Sequence, residues 1–218
     1  MSEPDFLQPT AFIDSNNDDV RSFARAAVGE AQGGKSRAIA LYNAVRDGIA
    51  YDPYLDYTDP DVFRASAVLA TGRGFCIGKS ALLVASARAI GIPARPGFAD
   101  VRSHLTSKRL RALTESDTFY WHSYTELRID GRWVKCTPAF DNALCARAGL
   151  APLAFDGVTD SLFHPFDPSG RRHMEYLNDR GVFAEVPVDV ILADFHRHYP
   201  RLVEQGRTGG DFRTEVSA

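Results

Sequence analysis

The spacing of apolar side chains divides the chain into a helical first half and a strand-bearing second half. After the cap-type run Asp14-Ser15-Asn16-Asn17, Val20, Phe23, Ala24 and Ala27 recur at helical spacing, which predicts a first helix stopping at Gly33-Gly34. A second helix from about Ser36 sets Ala38, Ile39, Leu41, Tyr42, Val45 and Ile49 on one broad face. It gives way at Tyr51-Asp52-Pro53, because the residue before a proline is pushed out of helical backbone. A turn-rich acidic segment and a short helical stretch around Val62 to Leu69 come next. The run Ile77 to Ile90 is then small and apolar nearly all the way round, and a helix without a polar face has to be buried. Gly91 suits the position just past its end, and Ile92-Pro93-Ala94-Arg95 turns into an extended segment.

In the second half the period changes. Phe119 to Ile129 and Arg132 to Thr137 flank Asp130-Gly131, a strong signal for a two-residue hairpin turn. That turn sets Ile129 against Arg132, Arg128 against Trp133, Tyr124 against Thr137 and His122 against Ala139. Opposed residues share a face, so His122, Tyr124, Glu126, Lys135 and Thr137 are expected on one side, joined by Asp141 if the strand runs past Pro138. Cys136 is expected on the other side. Gly181 to Val186 reads as a further strand and Val188 to Tyr199 as a closing helix. Helices first and antiparallel strands after predict an α+β fold. The expected organisation is one domain over residues 1–204, with a core at about 36–141 and an extension over 142–204. The polar, glycine-containing end at 205–218 is expected to be poorly ordered.

Composition narrows the function classes. The 218 residues are 44% hydrophobic and 24% charged with a net charge of -3, an ordinary globular balance that leaves no electrostatic footprint for nucleic acid or an anionic membrane. The start Met1-Ser2-Glu3-Pro4-Asp5-Phe6 lacks a basic region and an apolar run, and no stretch reaches the roughly 18 apolar residues needed to cross a bilayer. A cytoplasmic location is expected. Cys76, Cys136 and Cys145 form no CxxC pair, so at least one thiol stays free.

Cys76 is the candidate nucleophile. It closes the glycine-spaced loop Thr71-Gly72-Arg73-Gly74-Phe75 and opens the apolar helix, where unsatisfied backbone N–H groups and the positive end of the helix dipole stabilise a thiolate. Gly72 and Gly74 leave room for the helix start to face a substrate, and nearby N–H groups could serve an acyl oxyanion. The plainer reading is a buried structural cysteine. His122 is the candidate base; on its own, a strand histidine is more often a surface or satisfied residue. Asp160, His164, Asp167 and His173 fit no standard zinc spacing, so neither metal nor cofactor is expected. The surrounding segment, 156–176, reads as a loop folded over the core.

Three segments carry a family resemblance: Gly72-Arg-Gly-Phe-Cys76-Ile-Gly-Lys-Ser-Ala-Leu-Leu, Ala87-Arg-Ala-Ile-Gly-Ile-Pro-Ala-Arg95, and His122-Ser-Tyr-Thr-Glu126 followed by Gly131-Arg-Trp133. In this order they resemble the core of the transglutaminase-like superfamily, over about Leu41 to Thr137. The resemblance implies a papain-like core with the Cys76 helix packed on an antiparallel sheet. It also implies that Cys76 attacks an amide carbonyl while His122 moves the proton, as in a cysteine protease, an amidase or a transglutaminase acting on a protein or peptide. Gly74, Phe75 and Tyr124 are the matching substrate-contact positions. The family usually places an aspartate before the proline that follows the tryptophan strand, where this chain has Thr137. The third catalytic member is therefore Thr137 or Asp141, with Asp141 preferred because a carboxylate would stabilise the imidazolium where threonine offers only a neutral hydrogen bond, although Asp141 could equally cap the segment after it. With that acid replaced, a catalytically silent binding module on the same fold is the alternative reading.

Overall fold

The computed structural model describes residues 3–104, 106–163, 170, 174–206 and 209–216. Helix α1 (Asp18–Val28) starts where the cap-type run places it: the Asn17 side chain accepts from the N–H groups of Asp19 and Val20 at 2.9 and 3.2 Å. Helix α2 (Gly33–Gly48) leads into β1 (Ala50–Tyr51), which pairs in parallel with β2 (Arg73–Gly74) and sets Tyr51 beside Gly74. Between them α3 (Ala65–Thr71) ends on Gly72 in left-handed backbone, φ +65°.

Helix α4 (Cys76–Ala89) is buried at every residue from Ile77 to Arg88, with α1, α2 and α3 on one side and the sheet on the other. Its polar side chains are therefore bonded inward. The Lys79 ammonium donates to the carbonyls of Arg46 and Ile49 at 2.9 and 2.6 Å and so closes the end of α2. Arg88 donates to the carbonyls of Ala94, Gln8 and Ala184. The Ser80 hydroxyl meets the Tyr124 carbonyl at 3.1 Å and the Thr125 hydroxyl at 2.8 Å, which fixes how far along β4 the helix sits.

The described residues form one four-stranded antiparallel sheet in the order β5-β4-β3-β6. Its strands are β3 (Ala94–Ser103), β4 (Thr118–Ile129), β5 (Arg132–Cys136) and β6 (Met174–Val182). The hairpin register follows the Asp130-Gly131 turn, from Ile129 opposite Arg132 to Thr125 opposite Cys136. The chain then leaves the sheet, and the Thr137 N–H goes to the Ser161 carbonyl at 3.0 Å. Helices α5 (Lys108–Thr114), α6 (Asn142–Arg147), α7 (Val188–His198), α8 (Pro200–Glu204) and α9 (Phe212–Glu215) complete the described chain. None of the helices is long and apolar enough to cross a membrane among the described residues.

Several details differ from the sequence expectation, among them that α1 ends at Val28 and Gly33-Gly34 opens α2 instead of ending α1. The last strand is Met174–Val182 rather than 181–186; it is an edge strand whose residues Tyr176 to Asp179 are all exposed, so it shows no apolar alternation. Helix α5 is additional. The polar end is docked where it is described, with Phe212 and Val216 both 4% exposed.

Candidate active site

Cys76 is the first residue of α4, and its sulfur is approached by the backbone N–H groups of Ile77, of Cys76 itself and of Ser123. Ser123 follows His122 on β4 and lies beyond the last β4–β5 pair at Thr125–Cys136, so its amide is directed at the thiol rather than at a partner strand. Desolvation still dominates: burial pushes the Cys76 thiol up to about 11, against the three N–H groups that lower it. The residue as a whole is partly exposed, but its sulfur is walled by rings. Cys76 and His122 line the same cleft, which encloses about 690 Å³ of space between atoms with its open mouth included.

His122, 6% exposed, sits at an irregularity in the sheet. The β3–β4 register slips between the pairs Ala99–His122 and Val101–Phe119, and Trp121 takes left-handed backbone there, φ +61°. A bulge of this kind re-aims the following side chain, and a tryptophan tolerates such backbone only when its surroundings impose it. The surroundings are visible. The Asp100 carboxylate accepts the Trp121 N–H at 3.2 Å, together with Asn178 and the Arg180 guanidinium. Asp194 accepts both the Trp121 indole N–H at 2.8 Å and Arg180 at 2.9 Å, and Arg180 lies 4.4 Å over the indole. On the other side the Tyr199 hydroxyl accepts the Tyr120 N–H at 2.6 Å and donates to the Thr118 carbonyl at 2.8 Å.

Of the other sequence candidates, Phe75 lines the cleft. Gly74 and Tyr124 do not. Gly74 is a packing position, since a Cβ there would lie 3.0 Å from Val68. The Tyr124 ring lies over Gly97, with the Lys135 ammonium 4.9 Å from its centroid. Asp141, 2% exposed, is the N-cap of α6: it accepts the Leu144 N–H at 2.9 Å, the Tyr51 N–H at 3.3 Å and Arg213 at 3.0 Å. Burial raises its pKa, but these donors outweigh it and hold the carboxyl below its usual range. Its bonds among the described residues do not include the His122 ring. Thr137 is 1% exposed, and its hydroxyl lies next to the Tyr176 phenol. Glu126 is an ion-pair residue outside the cleft, with Arg95 at 2.7 Å and Lys135 at 3.9 Å.

No group of His, Cys, Asp or Glu among the described residues is arranged to hold a metal. His164, Asp167 and His173 lie outside the described residues, while Asp160 accepts the Lys135 N–H at 2.9 Å. Sequence reasoning missed Asp100, Trp121 and the aromatic residues of α7 to α9. Their relation to the site, as clamp for the first two and as cleft lining for the rest, is purely tertiary.

No curated protein matches the chain. Two solved structures are similar at low identity. A candidate cysteine protease from Cytophaga hutchinsonii is 18% identical over 83% of this chain and 46% of its own, with a TM-score of 0.47. A candidate protease from Parabacteroides distasonis is 16% identical over 54% of this chain and 22% of its own, with a TM-score of 0.37. This chain thus matches less than half the length of either. The family model of the transglutaminase-like superfamily matches residues 21–138, more than half of the chain and the part that carries Cys76, His122 and the hairpin. The chain belongs to the transglutaminase-like superfamily.

Proposed function

We propose that the protein is a thiol-dependent acyl-transfer enzyme acting on peptide or side-chain amides, with Cys76 as nucleophile and His122 as general base. The supporting observation is that a helix-start thiol and a strand imidazole face one cleft, with the amide of Ser123 aimed at the sulfur. In this reading the resting thiol is protonated, because burial holds it near 11. His122 takes that proton as the sulfur attacks the carbonyl carbon, and N–H groups at the start of α4 stabilise the oxyanion. The C–N bond then breaks, with the same proton passing to the leaving amine. Water, deprotonated by His122, cleaves the thioester to an acid and the free thiol; an amine in its place gives the transglutaminase outcome. The group that fixes the imidazole is assigned to Thr137, since the Asp141 carboxylate is bound by three other donors.

Iodoacetamide labelling of Cys76 across pH, in wild type and His122→Ala, tests the pairing. The expected profile has a limb near neutral pH that the variant loses. Identical profiles would reject the base assignment. The silent binding module is the second reading, favoured by Thr137 standing where the family has an aspartate. It requires Cys76 labelling to be independent of His122 and no faster than that of a small free thiol.

A further inference from the structure

The cleft beside Cys76 has an unusual wall. No Asp, Glu, Lys or Arg lines it among the described residues, and most of its surface is aromatic or aliphatic. Two of its phenols turn their oxygens into the protein: the Tyr57 hydroxyl donates to the Pro53 carbonyl at 2.9 Å, and the Tyr199 hydroxyl is held by Tyr120 and Thr118. Both present ring rather than hydroxyl to the space. A charged substituent entering here would lose its water and meet no Asp, Glu, Lys or Arg among the described residues. An apolar one would replace water on surfaces that hold water weakly.

The origin of this wall is as informative as its chemistry. Phe195, Leu202 and Phe212 come from α7, α8 and α9 and Tyr199 from the junction of α7 and α8, all beyond residue 138, where the family match ends. Phe195 packs edge-on against Tyr57 and Phe212 packs against Tyr51, with ring centroids 5.5 Å apart in both pairs. Phe212 is held in place by its own neighbours, since Arg213 bonds Asp141, and Glu215 bonds the Tyr54 hydroxyl.

We infer that the cleft accepts an uncharged aromatic or aliphatic group of the substrate next to the attacked carbonyl, and that the helices after residue 187 select it. This rests on the acyl-transfer reading for the word substrate, but not for the selectivity itself.

Three methanethiosulfonate reagents test it on the full chain: benzyl (neutral), 2-aminoethyl (cationic) and 2-sulfonatoethyl (anionic). Each forms a mixed disulfide with Cys76 and releases methanesulfinate. Rates are followed on the Cys76 peptide, so that Cys136 and Cys145 do not contribute, and are divided by those for glutathione. The benzyl reagent should exceed both charged reagents at least tenfold. Phe212→Ala, which opens the wall at its outermost turn, should cut that preference at least threefold; Leu202→Gln, of similar size, should do the same and guards against a folding defect in either variant. Equal normalised rates for the three reagents, or a preference unchanged in both variants, would overturn the inference. His122→Ala separates the two claims. A benzyl preference that persists while the pH profile is unaltered rejects the acyl-transfer reading and keeps the apolar site. A profile that shifts with no benzyl preference does the reverse.

Discussion

The Asp100 carboxylate holds the backbone N–H of Trp121 at 3.2 Å, one residue before His122. Asp100 lies on β3 and touches neither the thiol nor the cleft, yet it keeps Trp121 in left-handed backbone and so sets the direction of the next side chain. It is a positioning residue. Asp100→Ala should leave the half-buried Arg180 guanidinium with Asp194 still its partner but one charged hydrogen bond fewer, at a cost of about 2 kcal/mol in denaturant unfolding. It should also remove the neutral-pH limb of Cys76 labelling. Asp100→Asn, which can still accept the Trp121 N–H, should restore that limb in part, whereas a merely stabilising role would show no such rescue.

Cys76→Ser should abolish turnover of amide substrates and leave the thermal midpoint within a few degrees of wild type, because the change is nearly isosteric. A large drop in midpoint would instead make the sulfur a packing element.

The two candidates for orienting His122 separate by what each substitution disturbs. Asp141→Asn loses charge from the α6 cap and from Arg213, so about 1 kcal/mol of stability should go. The pH profile of Cys76 should stay. Thr137→Val should change the profile by at least a few tenths of a pH unit with little effect on stability. The opposite pattern in the two variants would return the role to Asp141.

Lys79 predicts a pH dependence of stability. Desolvation lowers its pKa from 10.5 to about 7, against the nearby carboxylates of Asp141 and Asp47. Between these values the unfolded chain holds a proton that the folded chain has released, so stability rises with pH over that window and the gain is lost as pH falls through 7. The slope should approach about 1.4 kcal/mol per pH unit at its steepest. The raised Cys76 thiol acts in the opposite sense, but only from about 9 to 11. Urea unfolding at pH 7 and pH 9 therefore isolates Lys79, and Lys79→Met should flatten the difference.

Gly97 faces Tyr124 across β3 and β4, and a Cβ there would sit 2.3 Å from the ring. Gly97→Ala should cost about 1–3 kcal/mol as the ring is displaced. Gly131, in the turn with open space around it, should tolerate alanine sterically and lose stability only through its φ of +80°.

Much of this arrangement is legible in local sequence. The Asp130-Gly131 turn fixes the hairpin register, and the unbroken apolar run after Cys76 requires a buried helix. The superfamily motifs fall on the elements expected for them. What local pattern does not carry is whatever two distant segments decide together. The bulge at Trp121 exists because Asp100, Arg180 and Asp194 converge on it, and none of the three is unusual in its own neighbourhood. Strand β6 is held by β3 although Asn178-Asp179-Arg180-Gly181 has the composition of a turn. Phe212 lies in a stretch that reads as a polar tail, and only the fold reveals that a ring in it is buried against Tyr51.

Helices α7 to α9 close the cleft from outside the matched core, and that separation has an experimental use. The reacting pair and much of the lining can be altered independently: exchanging Phe195, Leu202 and Phe212 while keeping Asp194 and Tyr199, which brace Trp121 and Tyr120, should change selectivity with Cys76, His122 and the Asp100 clamp in place. Substrate screening on this scaffold can therefore be confined to a few side chains near the C-terminal end.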